Sequence, residues 1–108
     1  MNSWIILIAA GLLEVCWASS LKATAGFTRL GPTLFFAATL AASMFLLSLA
    51  VKNIPVGTAY AVWVGIGAAG TVIASVFLHG EAMSLGKGAF LALLIISIVG
   101  LKLTTSGE

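Results

Sequence analysis

Gly11-Leu12-Leu13-Glu14-Val15-Cys16-Trp17-Ala18 decides the fold, because one carboxylate stands in the middle of a run otherwise apolar enough to lie in lipid. On insertion scales an acidic residue at the centre of a membrane helix costs about 2.5–3.5 kcal/mol, so such a residue marks a functional site by default. Glu14 is therefore the first candidate, and the rest of the chain is read as its scaffold.

Of the 108 residues 61% are hydrophobic and only 7% charged, against about 25% charged in ordinary soluble domains. Three acidic and five basic side chains cannot coat a water-soluble domain of this size, so the chain is read as an all-α membrane protein. The cations Lys22, Arg29, Lys52, Lys87 and Lys102 are scattered near segment ends. They form no basic stripe that could follow a phosphate backbone, which excludes nucleic acid as a partner. Cys16 is the sole cysteine, so there is neither an internal disulfide nor a metal-ligand set, and no metal or cofactor is expected. With no nucleophile–base pair and no phosphate loop between strand and helix, an enzyme is not expected and no catalytic residue is assigned.

A membrane helix needs about 20 mostly apolar residues, and four stretches qualify, at about 3–21, 32–51, 57–78 and 84–103, making residues 1–108 a single four-helix transmembrane domain. Trp4 anchors the first at the interface and Lys22 closes it. A cleaved signal peptide is disfavoured, since the start carries no cationic region and Glu14 interrupts the apolar run. Leu13-Glu14-Val15-Cys16 is a poor lipoprotein box, because Val15 stands where a small residue belongs. Pro32 suits a first helical position, Ile54-Pro55-Val56 breaks the chain before the third span, and the short loops make consecutive helices antiparallel neighbours.

Orientation is close to balanced. An N-inside chain puts Lys52 and Lys102 in the cytoplasm and Lys22, Arg29 and Lys87 outside, a split that barely biases insertion. Many transporters place their site between inverted-topology repeats, and this chain is too short to hold two. Together these observations predict a homodimer of two copies in opposite orientations, with the fourth span, which has no ionisable residue at its centre, as dimer contact and scaffold.

Helical spacing puts Ala10, Gly11, Trp17 and Ala18 around Glu14. Small residues there admit a close neighbour, and Trp17 can offer its ring to a cation or its N–H to the carboxylate, or simply pack. Ser43 lies at a depth comparable to Glu14, and is either its partner or bonded back to its own helix. On the third span Tyr60, Trp63, Gly67 and Gly70 form one stripe, a candidate wall of a cation pocket, while Ala61, Gly65 and Ala69 repeat at four as close-packing material. Gly65, Gly67 and Gly70 are also a place where the helix can flex. His79 falls in a turn at a membrane boundary and is read as a headgroup-level side chain, and Glu81 as solvated.

Glu14-Val-Cys-Trp17-Ala18-x-x-Leu21-Lys22, Gly26-Phe27-Thr28-Arg29-Leu30, Pro55-Val-Gly57-Thr58-Ala59-Tyr60-Ala61-Val62-Trp63-x-Gly65-Ile66-Gly67 and Gly100-Leu101-Lys102 resemble the small multidrug resistance family over nearly the whole chain, its guanidinium-exporter subtype more than its polyaromatic-cation subtype. The resemblance implies a four-helix subunit in an antiparallel dual-topology dimer, multi-pass in the inner (plasma) membrane. It also implies proton-coupled antiport of small cations, guanidinium and its substituted derivatives, through the paired Glu14 carboxylates, with Trp17, Ser43, Tyr60 and Trp63 in the pocket. Two positions depart from the subtype: Val64 stands where it usually has Thr, and Cys16 replaces an aliphatic residue. These departures keep alternatives open: export of hydrophobic quaternary ammonium cations, or service as one half of a heterodimer. A non-transporting subunit or small channel, with Glu14 a structural hydrogen-bond partner, is the reading from another class.

Overall fold

The computed structural model describes residues 2–104. Four helices account for most of them: α1 (Ser3–Ser19), α2 (Leu30–Ala50), α3 (Val56–Leu78) and α4 (Leu85–Thr104); α2, α3, α4 and the span Ser3–Thr24, which extends α1 through the following turn, are each long and apolar enough to cross a membrane. Asn2 starts α1 by accepting the Trp4 amide on its side-chain oxygen at 2.7 Å, which satisfies one of the four donors a helix start leaves unpaired. Past Ser19 the chain tightens into a single 3₁₀ turn, Lys22–Thr24. It then reverses through three consecutive left-handed residues, Ala25, Gly26 and Phe27. Two of these carry a Cβ, so the turn is held by its bonds: the Thr24 hydroxyl donates to the Leu21 carbonyl at 2.7 Å and accepts the Phe27 amide at 3.3 Å.

Helix α2 begins at Leu30, two residues ahead of Pro32, so proline occupies the third helical position rather than the first. The physical tolerance is the same, because the first four amides of a helix have no partner within it. Pro55 caps α3, and the Ser84 hydroxyl receives the Lys87 amide at 3.0 Å at the start of α4.

The helices do not close into a square bundle. Helix α1 packs along both α2 and α3, while α2 and α3 scarcely touch and α4 rests chiefly on α3. The expectation that consecutive helices are neighbours thus holds most fully for α1–α2, less for α3–α4 and only locally for α2–α3, where Trp63 reaches Ser43 while the small residues of α3 take α1 as their close partner. The result is a slab of 43 × 34 × 19 Å, about two helix diameters thick. Its core is Trp4, Leu7, Ala10, Leu47, Ala50, Ile54, Ala59, Val62 and Trp63, and α4 contributes no buried residue.

Candidate functional site

The α1–α3 seam is built from glycines meeting larger side chains. A Cβ on Gly11 would lie 2.8 Å from the Ile66 Cβ. Further along, one on Gly67 would fall into the Glu14 carboxyl group and one on Gly70 into Val15. The pairs advance in the same direction on both helices, so α1 and α3 run parallel. Gly65 points elsewhere, toward α4, where an added Cβ would sit 2.8 Å from Ile98 Cδ1. Two residues along a helix turn the side-chain direction by more than half a circle, which gives Gly65 and Gly67 different neighbours.

Glu14 is half-buried, and its Oε1 lies beneath the surface with no hydrogen-bond partner among the described residues. Trp17 Nε1, one turn further, is buried and unpaired in the same sense. A buried polar atom without a partner costs about 1–3 kcal/mol. An unpaired acceptor and an unpaired donor thus lie about one helical turn apart in sequence on α1.

Ser43 is fully buried, with both of its bonds committed away from the carboxylate: its hydroxyl donates to the Ala10 carbonyl at 2.7 Å and accepts from Trp63 Nε1 at 2.9 Å. It links α1, α2 and α3 through one oxygen. Trp63 is buried and Tyr60 is 58% exposed, with their ring centroids 5.8 Å apart. Trp17 stands 6.4 Å from Trp63 and packs edge-on to Phe36 at 5.7 Å, and Phe36 meets Phe27 at 5.2 Å. The structure therefore gathers Glu14, Trp17, Trp63 and Gly67 directly, with Ser43 behind Trp63 and Tyr60 on the rim. Phe27 and Phe36, which extend the aromatic row, were not legible from spacing, because they come from a turn and from α2 and meet Trp17 only through the fold.

Cys16 is exposed, on the side of α1 away from the seam. His79 is partly buried at the membrane boundary, its Nε2 3.2 Å from the Ser19 carbonyl, so it ties the end of α3 to the end of α1. Glu81 is paired with Lys87 at 3.5 Å.

A slab of membrane-length helices around one half-buried carboxylate and an aromatic row defines a small multi-pass membrane protein with a polar site inside its apolar region. The family model described as Small Multidrug Resistance protein matches residues 2–94, and the chain belongs to that family. Similar proteins named "Guanidinium exporter" include those of Yersinia pseudotuberculosis serotype I (strain IP32953), 52% identical over 95% of this chain and 99% of the relative, and of Escherichia coli (strain K12), 53% identical over 95% and 98%. The Citrobacter freundii protein of the same name is 52% identical over 95% and 98%.

Proposed function

We propose that this protein is a proton-coupled antiporter that exports guanidinium and its substituted derivatives across the plasma membrane, using the Glu14 carboxylates of two copies in opposite orientations. The observation that carries it is the half-buried Glu14 with an unpaired Oε1 against Gly67, beside the unpaired N–H of Trp17. Guanidinium is planar, and its N–H groups match a carboxylate in a two-pronged bond. The indole N–H of Trp17 suits a carboxylate oxygen, its own or the second copy's, while the faces of Trp17 and Trp63 suit the cation. Export of guanidinium is further supported by the names of the relatives.

Coupling follows if protons and the cation compete for the same carboxylates, since neither can occupy them while the other is bound. Replacing Glu14 with Gln keeps the shape and removes the exchangeable proton. In proteoliposomes, Glu14→Gln is expected to abolish guanidinium uptake driven by a proton gradient; undiminished gradient-driven uptake would refute the assignment.

The row Trp63–Trp17–Phe36–Phe27, which runs to the half-exposed Phe27, favours a second reading in which hydrophobic quaternary ammonium cations are carried, because aromatic faces hold such cations without hydrogen bonds. Competition between guanidinium and tetraalkylammonium ions separates the two. Strong inhibition by the latter supports the second.

A further inference from the structure

Where α4 leaves α1 uncovered, a groove of about 180 Å³ opens on the flank of the slab, lined by Trp4, Ile8, Val62, Ile66, Val99 and Lys102 among others. Its walls are apolar, contributed by the first half of α1, the first half of α3 and the last turns of α4. One end differs. The Lys102 ammonium stands 5.2 Å over the ring of the buried Trp4, with its charged end exposed. This end of the molecule is a membrane boundary, because α1 starts there, α4 ends there, and Asn53 of the α2–α3 turn donates to the Ser3 hydroxyl there at 2.9 Å. It also carries Lys52, and no acidic side chain among the described residues lies on it, since Glu14 is in mid-helix and Glu81 sits in the α3–α4 turn at the opposite boundary.

We infer that this groove is a binding site for an anionic phospholipid, with one acyl chain lying between α1 and α4 and the phosphate on Lys102. An apolar trough leading to a fixed cation at headgroup depth matches such a lipid in both of its parts. The cation–π contact keeps the ammonium over the mouth of the groove instead of letting it swing freely. A neutral lipid could fill the trough but would lose the charge at its end, and one lysine near the headgroups is worth about a fivefold preference for anionic lipid.

The full chain, carrying Trp17→Phe and Trp63→Phe so that Trp4 alone fluoresces, is reconstituted in phosphatidylcholine vesicles containing a minor fraction of brominated phosphatidylglycerol or brominated phosphatidylcholine. Trp4 quenching reports occupancy of the groove. Brominated phosphatidylglycerol is expected to quench at about one fifth the concentration of the choline lipid. Lys102→Gln is expected to equalise the two lipids while quenching persists. Val99→Phe, which fills the groove from its exposed side, is expected to suppress quenching by both. Equal quenching in the unsubstituted groove, a preference that survives Lys102→Gln, or quenching untouched by Val99→Phe overturns the proposal. So does complete protection of Trp4 from both lipids, the result if a second copy of the chain covers the groove.

Discussion

Glu14 and Gly67 act as one unit. The carboxyl group occupies the space a side chain on residue 67 would take, so the position of the acid is set by an absence on the facing helix. Because the group that a Cβ would strike is the far end of a flexible side chain, Gly67→Ala can be accommodated by swinging the carboxyl away while the helices stay packed. The expected result is a protein that expresses and unfolds at nearly the native temperature, yet transports guanidinium at least tenfold more slowly. Retained transport with lost stability would reverse that interpretation. Gly65→Ala meets the outer atoms of Ile98, Cδ1 at 2.8 Å and Cγ1 at 3.0 Å, on the loosely packed α4, and because that side chain can turn aside it is expected to leave transport close to that of the native chain at a small cost in unfolding temperature.

At the scale of the helices, Gly11 and Ser43 hold the seam by different means. Gly11 faces the branched Cβ of Ile66, close to its backbone, so Gly11→Ala has no flexible neighbour to displace and is expected to cost about 1–3 kcal/mol as an overpacked contact. Ser43→Ala would leave the buried Trp63 N–H without its acceptor, an expected loss of about 1–3 kcal/mol. Ser43→Thr, which keeps the hydroxyl, should lose less. Thermal unfolding in detergent measures both. The four spans were legible because apolar runs of membrane length leave few alternatives, and Glu14 because a carboxylate in such a run is costly. What periodicity could not supply was pairing. Spacing puts Ser43 at the depth of Glu14 without saying that its two bonds go to Ala10 and Trp63, and it separates Gly65 from the stripe of Gly67 and Gly70 without saying that the first faces α4 and the other two α1. Those assignments depend on which helices meet, and a helical period carries no record of its neighbour.

For the whole molecule, the slab leaves extensive apolar surface uncovered, α4 above all, where Phe90, Leu93 and Ile96 are each more than half exposed. Lipid accepts such a surface, and so would a second copy. The near balance of Lys22, Arg29 and Lys87 against Lys52 and Lys102 predicts both orientations in one membrane. Reporter domains fused to the C-terminus, one active only inside and one only outside, should give signals within a few-fold of each other; a signal from one side alone would remove the antiparallel dimer. The Ser43 hydroxyl has a further consequence, for motion. By joining Ala10 of α1 to Trp63 of α3 from a position on α2, it ties three helices at one buried point: sliding α2 past either neighbour breaks this junction, and sliding α1 past α3 breaks it together with the glycine contacts between those two helices. A hinge placed at this junction would have to break both hydrogen bonds at once, so the turn between α3 and α4, which lies outside it, is the less costly place for the chain to bend.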